Sequence, residues 1–318
     1  MPIGKLLLRA AVVAVGILVA ASATTAQQLT TIRFIATSSD DLVPFWYAQS
    51  AGLFKAAGLD VQVTTVNTGA IVTQAIIGGA ADIGRSSPSI LLAAHVRGIP
   101  FVILAPGAVH RHGEISNAAI VVTPTSPIKS LLDLQGKTVS CTAIGDFGYL
   151  GLRALIDAQG GDSSTVKWIE IPVSAVAPAL EQGRIDAGLS VEPFMTRDVS
   201  AGKIRFLVDM INGYPGSVLQ GAYFSMRAWA QANPDAVARF ARVMHQASVY
   251  TNSHVAETAP LVVANTGLDQ DVVAKMHRTT MALTLDPGQV QPLIDVAAKY
   301  KSIPQGFDAR EMFWPSPR

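Results

Sequence analysis

Short apolar, β-branched runs alternate along the chain with longer segments in which apolar residues recur every three or four positions. The short runs predict strands and the longer segments predict amphipathic helices. From residue 29 onward, the pattern predicts strands at 31–37, 61–66, 82–85 and 101–105. Between these strands it predicts helices at 44–57, 71–77 and 88–97. Strands that alternate with helices favour a parallel, doubly wound sheet with helices on both faces.

The same alternation starts again at residue 118. It predicts strands at 118–122, 138–141, 166–171, 185–189 and 204–209. It predicts helices at 149–159, 175–182 and 193–201. The turn-forming cluster 212–216 then predicts a crossing back to the first block. Beyond residue 223 the pattern is mostly helical, and a capping residue followed by proline predicts helices over 233–253 and 286–301.

The first 26 residues follow a different pattern. Lys5 and Arg9 precede an apolar run over 10–21, and small residues then lead to Ala26. This order is typical of a secretory signal, and it predicts export with cleavage near Ala26. A retained membrane anchor is the alternative, but the apolar run is shorter than the ~20 residues that cross a bilayer. We therefore expect an exported protein.

Composition narrows the class of protein. Removal of the leader takes away two basic residues and leaves 22 basic and 23 acidic ones. This balance gives no sign of a nucleic-acid or anionic-membrane partner. Cys141 is the sole cysteine, which excludes an intramolecular disulfide and a cysteine metal cluster. An exported chain without disulfides needs a large core, and the 49% hydrophobic content is compatible with two lobes.

Eight short motifs follow one another in a fixed order. They are Pro44–Ala48, Gly52–Phe54, Gly58–Val61, Gly78–Gly84, Asp133–Val139, Gln182–Gly188, Glu192-Pro193 and Asn233–Asp235. Each is weakly specific alone, but the ordered set resembles the periplasmic solute-binding proteins of importers for nitrate, sulfonate, taurine and thiamine-pyrimidine precursors. The resemblance covers nearly all of the chain after the leader.

The resemblance implies an α/β type 2 periplasmic-binding-protein fold, with two doubly wound lobes joined by two crossings. Lobe one would comprise residues 29–116 plus 222–318, and lobe two residues 117–221. The chain would be a monomeric receptor that captures a small anionic or aromatic molecule without a cofactor or metal. Its partners would be the permease and ATPase of an ABC importer. The alternatives are a ligand sensor and a thiamine-pyrimidine-synthase type of enzyme, whose cysteine-rich loop has no counterpart here.

Candidate ligand-binding residues lie where predicted strands lead into helices. Ligands of open α/β sheets bind beyond the carboxyl ends of the strands. Helix N-termini there offer unpaired N–H groups and partial positive charge. The candidates are Ser38, Ser39, Asp40, Trp46, Thr68, Gly69, Arg85, Ser86, Ser87, Thr142, Gly145, Asp146, Phe147 and Glu192.

Several candidates have a second, purely structural interpretation. Arg85 ends a predicted strand and would hold an anion in bidentate fashion, or it would pair with a nearby acid. Ser86 and Ser87 would contact ligand or cap the next helix, and Glu192 would accept an amine or cap its own helix. Trp46 belongs to an aromatic triplet of which at least one member should lie in the core. Phe147 would stack on a flat ligand between two glycines.

Signals for catalysis and metal binding are weak. The sequence contains no Gly-x-Ser-x-Gly motif, no His-Glu-x-x-His motif and no Gly-x-x-x-x-Gly-Lys-Ser/Thr phosphate loop. His110 and His112 resemble a metal or anion pair, but no further ligand lies near them in the sequence, so a solvated polar loop is the favoured interpretation. These observations predict a binding protein and not an enzyme.

Overall fold

The computed structural model describes residues 29–114 and 116–315. The predicted leader over residues 1–26 lies outside the described residues. Within the described ranges the strands are β1 (Thr30–Thr37), β2 (Leu59–Val66), β3 (Ile83–Ser86), β4 (Phe101–Pro106), β5 (Ala108–Arg111), β6 (Ala118–Val122), β7 (Thr138–Cys141), β8 (Lys167–Glu170), β9 (Ala187–Val191), β10 (Arg205–Val208), β11 (Ser217–Leu219), β12 (Ala222–Met226) and β13 (Thr280–Met281).

Helices connect and cover these strands. They are α1 (Val43–Ser50), α2 (Leu53–Ala56), α3 (Gly69–Ile77), α4 (Pro88–His95), α5 (Phe147–Ala158), α6 (Val176–Glu181), α7 (Phe194–Ser200), α8 (Arg227–Ala232), α9 (Pro234–Ser253), α10 (Val255–Thr266), α11 (Gln270–Lys275) and α12 (Gln291–Lys299). None of the helices over the described stretches combines the length and apolar character needed to cross a membrane.

Two five-stranded sheets are built to the same plan. Sheet one has the order β2-β1-β3-β12-β4, and sheet two has the order β8-β7-β9-β6-β10. In each sheet four strands run parallel and one strand, the fourth in order, runs antiparallel to its neighbours. The mixed α/β architecture confirms the predicted fold class.

The expectation of purely parallel sheets is wrong for β12 and β6. Each of these strands follows directly after the chain has crossed from the other sheet, so it enters its sheet from the opposite end. The crossings themselves form a third sheet of the order β11-β5-β13, in which β5 and β11 pair antiparallel. These three short strands were not predicted, because their segments are brief and partly polar.

β12 (Ala222–Met226) was not predicted either, since the pattern beyond residue 223 is mostly helical, but the element pattern is otherwise close to the prediction. Nine strands of the two five-stranded sheets were predicted, and each of them begins and ends within two residues of the predicted bounds. The predicted helix over 44–57 is wrong in one respect, because Gly52 adopts a left-handed φ of 71° and separates α1 from α2. The predicted helix over 286–301 starts instead as a 3₁₀ turn, Pro287–Gln289, before α12.

An aromatic core fixes α1 against sheet one. Phe34 and Phe45 stack with ring centroids 4.1 Å apart, and Phe240 of α9 lies 6.3 Å from Phe34. Trp46 is also buried in this core, at 7% exposure. Because these rings hold α1 against the sheet, the loop that joins β1 to α1 has a fixed position at the carboxyl end of β1.

Candidate functional site

A cavity of about 280 Å³ lies where the carboxyl ends of parallel strands from both sheets meet. Thr37 at the end of β1 and Ser87 just after β3 line it from sheet one. Thr142 just after β7 and Val191 at the end of β9 line it from sheet two. This is the position at which open α/β sheets bind ligands.

Eight of the fourteen predicted residues line this cavity. They are Ser39, Asp40, Arg85, Ser87, Thr142, Asp146, Phe147 and Glu192. We call the residues Ser39, Asp40, Asp41, Arg85 and Ser87 the sheet-one wall. We call the residues Thr142, Asp146, Phe147, Leu189, Val191 and Glu192 the sheet-two wall.

Three of the predicted residues near sheet one do not line the cavity. Trp46 faces the core, as expected for one member of its aromatic triplet. The Ser38 hydroxyl donates to the carbonyl oxygen of Asn265 at 3.1 Å, so it is directed away from the cavity. Thr68 accepts the Ile71 N–H at 3.4 Å and caps α3.

Gly69, Ser86 and Gly145 also lie outside the lining. A Cβ atom added at Gly69 would come within 2.8 Å of Ile90 Cδ1 and 3.1 Å of Ser86 Oγ, so Gly69 packs behind the wall. Ser86 is buried at 3% exposure. Gly145 has a φ of 85° and faces Ser302, outside the cavity between the sheets.

Sequence reasoning missed other lining residues. Asp41 follows the predicted Asp40 directly and is the partner of Arg85. Asn117 and Gln220 lie at the two crossings, and the lining also includes Ser89 and Ile90 of α4. Position at the crossings is the only sequence signal that Asn117 and Gln220 carry.

Arg85 is paired with an acid, which is the structural interpretation of this residue. Its guanidinium forms an ion pair with Asp41, and the two side chains are 12% and 4% exposed. Ser39 Oγ donates to Asp41 Oδ1 at 2.5 Å and holds the carboxylate in place. Burial lowers the pKa of Arg85 to about 10, so the guanidinium stays protonated at neutral pH.

Asp40 forms a second ion pair in the sheet-one wall. Its Oδ1 accepts a hydrogen bond from Arg278 Nε at 2.6 Å, and its Oδ2 accepts one from the Thr279 N–H at 2.8 Å. Arg278 is 12% exposed and Asp40 is 2% exposed. The pair links the start of α1 to the segment before β13, which belongs to the crossing sheet.

Glycine is required where the crossings approach the Arg85–Asp41 pair. A Cβ atom at Gly221 would lie 2.3 Å from Arg85 Nη2 and 2.8 Å from Asp41 Oδ2. A Cβ atom at Gly107 would lie 2.7 Å from the Gly221 carbonyl oxygen, which accepts the Gly107 N–H at 2.8 Å. The two crossings therefore touch each other, and the second also touches the sheet-one wall, through positions without side chains.

Asp146 caps α5 in the sheet-two wall. Its Oδ1 accepts the Tyr149 N–H at 2.7 Å, and its Oδ2 accepts the N–H groups of Thr142 and Ala143, each at 3.0 Å, together with the Thr142 hydroxyl. Burial nevertheless raises the pKa of the Asp146 carboxyl. Next to it, Phe147 stacks on Tyr214 with centroids 4.9 Å apart.

Glu192 has a similar environment at the start of α7. It follows β9 directly, and it is 3% exposed. Its carboxylate accepts the Thr196 N–H at 3.0 Å, the Thr196 hydroxyl at 2.7 Å and the His277 N–H at 3.4 Å. Burial raises its pKa as well. Glu192 therefore makes the capping contacts of its structural interpretation, while it also lines the cavity.

The His110–His112 segment corrects one expectation. His110 lies in β5 and is 4% exposed, so it is not part of a solvated loop. Its Nε2 lies 3.7 Å from Asp209 Oδ2, behind the cavity. Across residues 29–114 and 116–315, no cluster of three or more His, Cys, Asp or Glu side chains is placed to hold a metal ion.

Cys141 is a buried residue at the end of β7. It is 1% exposed, and burial raises the pKa of its thiol to about 12. A thiol with so high a pKa is almost entirely protonated at neutral pH, so it is a poor nucleophile and a poor metal ligand.

Curated relatives of two kinds match this chain. A 4-amino-5-hydroxymethyl-2-methylpyrimidine phosphate synthase of Schizosaccharomyces pombe is 25% identical over 221 residues, which are 65% of this chain and 61% of that protein. A protein of Bacillus subtilis, named for binding aliphatic sulfonates, is 26% identical over 247 residues, or 76% of this chain and 72% of its own length. The chain thus spans less than two thirds of the synthase.

Solved structures share the fold. The periplasmic aliphatic sulphonate binding protein SsuA of Escherichia coli has a TM-score of 0.74 at 20% identity, covering 91% of this chain and 93% of that chain. The alkanesulfonate-binding protein SsuA of Xanthomonas axonopodis, bound to MOPS, has a TM-score of 0.76 at 17% identity, covering 91% and 99%. The periplasmic-binding-protein fold implied by the resemblance is confirmed.

The family assignment follows from a match that covers the cavity. A family profile described as NMT1/THI5 like matches residues 39–258, more than half of the chain. This span includes both five-stranded sheets except β1, and all residues of the two walls. The chain therefore belongs to the NMT1/THI5-like family.

Proposed function

We propose that this chain is an extracytoplasmic solute-binding receptor, which captures a small molecule between two lobes and delivers it to the permease and ATPase of an importer. Lobe one comprises residues 29–116 plus 222–318 and contains sheet one, and lobe two comprises residues 117–221 and contains sheet two. The observation that carries the proposal is the cavity of about 280 Å³ that side chains from both sheets line. A ligand there would contact both lobes at once.

The crossings provide the hinge in this proposal. With this division the chain passes between the lobes near β5 and near β11, and these strands pair with each other in register from Ser217–Arg111 to Leu219–Val109. Two adjacent crossings define one axis about which lobes move as rigid bodies. A ligand that touches both walls favours the closed arrangement by its differential affinity for that state.

The names of two solved structures with the same fold support a solute-binding role. Two solved structures with this fold are named as sulfonate-binding proteins, and one of them is named as periplasmic. The predicted leader would place this chain in the same compartment. Uptake of a labelled ligand by cells with and without the gene, at equal expression of the permease, tests the delivery step.

An enzyme on the same fold is the alternative, because the Schizosaccharomyces pombe relative is named as a synthase. The state of Cys141 favours the receptor: this thiol is buried with a high pKa, and it is the sole cysteine of the sequence. Mass spectrometry of a bound ligand after prolonged incubation separates the two functions. A receptor returns the ligand unchanged, whereas an enzyme returns a product.

A melting-shift screen of the purified protein tests the receptor function directly. The compounds are sulfonates, nitrate, aromatic acids and amino-substituted heterocycles. A ligand at 100 times its dissociation constant should stabilise the folded state by about 2.7 kcal/mol. If no compound of this set raised the melting temperature, the receptor proposal would fail.

A pair of variants shows whether the stabilisation comes from the cavity. Val191→Trp places a large ring at the end of β9 inside the cavity and should abolish the shift. Val199→Trp makes the same change at a position on α7 that is 43% exposed, and it should leave the shift intact. Equal shifts in both variants would place the ligand elsewhere.

A further inference from the structure

We propose that the cavity selects a neutral or singly cationic ligand with N–H donors, and that it rejects anions such as sulfonates and nitrate. This inference rests on the proposed function, because it concerns the ligand of that same cavity. It follows from a comparison of the groups that neutralise the buried carboxylates in the two walls. It differs from the expectation of an anionic ligand that Arg85 suggests in the sequence.

Acids outnumber bases in the cavity lining. Asp40, Asp41, Asp146 and Glu192 line it, and Arg85 is the one lining residue with a cationic side chain. The sheet-one wall is neutral nonetheless, because Asp41 pairs with Arg85 and Asp40 pairs with Arg278. An approaching ligand meets two closed ion pairs on this side.

The sheet-two wall keeps two carboxylates without a cationic side chain. In the described parts of the chain, none of the ion pairs within 4.0 Å includes Asp146 or Glu192. Their hydrogen-bond donors are neutral backbone N–H groups and threonine hydroxyls. The N-termini of α5 and α7 supply partial positive charge to them, about half a unit each, which leaves part of the negative charge uncompensated.

An anion would meet an obstacle on each side. To bind Arg85 in bidentate fashion, it would have to separate the guanidinium from Asp41 and leave that buried carboxylate without its cation. It would also lie in the same small cavity as the carboxylates of Asp146 and Glu192, and like charges at such short range repel one another. A ligand with N–H donors avoids both penalties and reduces the negative charge of the sheet-two wall.

The apolar part of the lining indicates the body of the ligand. Phe147, Leu189, Val191, Met210 and Ile90 face the cavity between the charged groups. A volume of about 280 Å³ is at the small end for ligand pockets, which span roughly 300–1,000 Å³. The geometry therefore fits a small, flat, apolar body that carries amine, amide or amidine N–H groups toward Asp146 and Glu192.

Three probes with one ring and different charge test the inference. They are benzamidine, benzamide and benzenesulfonate, titrated by calorimetry into the full protein at neutral pH. We expect benzamidine to bind most tightly, benzamide more weakly and benzenesulfonate not at all. Tighter binding of benzenesulfonate than of benzamide would overturn the inference, and so would the absence of binding by benzamidine and benzamide.

Variants locate the charge that is responsible. Glu192→Gln should weaken benzamidine on the order of tenfold and weaken benzamide by less, because the cation loses an attractive charge whereas the amide still meets a side-chain acceptor. Glu181→Gln makes the same change at an exposed position of α6 and should leave both probes unchanged. Equal loss of both probes in Glu192→Gln would indicate a structural role for Glu192 and would contradict the electrostatic explanation.

The failure of this inference is distinguishable from the failure of the receptor function. An anion that emerges from the wider screen and loses binding in Val191→Trp would sustain the receptor and overturn the charge class. A screen without any stabilising compound would overturn the receptor itself.

Discussion

The two walls of the cavity come from sheets of the same plan, yet they hold their acids in different ways. In the sheet-one wall, Asp40 and Asp41 are each paired with a buried arginine. In the sheet-two wall, Asp146 and Glu192 are each used as an acceptor at the start of a helix. The first arrangement fixes loops from distant parts of the chain, whereas the second leaves negative charge available to a ligand.

This difference shows that the fold alone does not determine ligand charge. Both sheets direct loop-to-helix junctions into the cavity, and such junctions by themselves favour anions. Acidic side chains at these junctions offset that preference. Substitutions in each wall should therefore have different consequences.

Removal of Arg85 should have the largest effect on stability. Arg85→Met leaves Asp41 buried without its cation, and breaking a buried pair in this way costs about 3–5 kcal/mol. Urea unfolding of the variant measures the loss. Arg310→Met, which breaks a pair with side chains that are 74% and 51% exposed, is the control and should cost at most about 1 kcal/mol. Similar losses in both variants would show that the Arg85 pair is not buried as described.

Substitution of Gly221 should have the next largest effect. Gly221→Ala places a Cβ atom against both Arg85 and Asp41 and should destabilise the protein by about 1–3 kcal/mol through overpacking. Gly306→Ala is a matched control, since its Cβ atom would meet no atom closer than 3.9 Å. An unchanged free energy of unfolding in Gly221→Ala would mean that the sheet-one wall adapts without cost.

Loss of the cap on α5 should have a smaller effect. Asp146→Ala removes the acceptor for three N–H groups and should cost about 0.5–2 kcal/mol. Asp146→Asn keeps one acceptor oxygen and should cost less, while it weakens binding of a cation. The free energy of unfolding and the benzamidine affinity, measured on the same samples, separate the two roles. A larger loss in Asp146→Asn than in Asp146→Ala would contradict the capping role.

The affinity for benzamidine should depend on pH in one direction. The pKa values of Asp146 and Glu192 are raised by burial, so each carboxyl binds a proton at a higher pH than an exposed one does. A bound amidinium favours the ionised carboxylates, and affinity should therefore fall as pH is lowered from neutral toward the raised pKa values. Glu192→Gln should show a weaker dependence than the wild type. Affinity that rises on acidification would contradict the assignment.

Local pattern was sufficient to predict most of the fold. Strands such as β4 and β6 are continuous apolar runs, and α9 begins at an Asn-Pro pair, so neighbouring residues alone specify them. The break after α1 was missed because the apolar pattern continues past Gly52. The crossing strands β5 and β11 were missed because each is stabilised by its pairing with the other, which lies far away in the sequence.

The position of the site was predictable from the sequence, but the ion pair between Arg85 and Asp41 was not. Arg85, Thr142, Asp146 and Glu192 line the cavity because each follows or ends a strand, and the sequence shows that placement. The partner of Arg85 was not predictable, because Asp41 reaches it only when the loop before α1 meets the end of β3. The need for glycine at residue 221 likewise arises only from tertiary contact.

If two lobes close around a solute as we propose, the distance between them changes when the solute binds, and this distance can be measured with spin labels. Cysteines introduced at Ile77 in α3 and Phe206 in β10, which are 41% and 52% exposed, accept spin labels while the buried Cys141 does not. With the most stabilising compound of the screen at saturation, pulsed electron resonance should show a narrower distance distribution with a shifted mean. An unchanged distribution in the presence of bound compound would contradict the account.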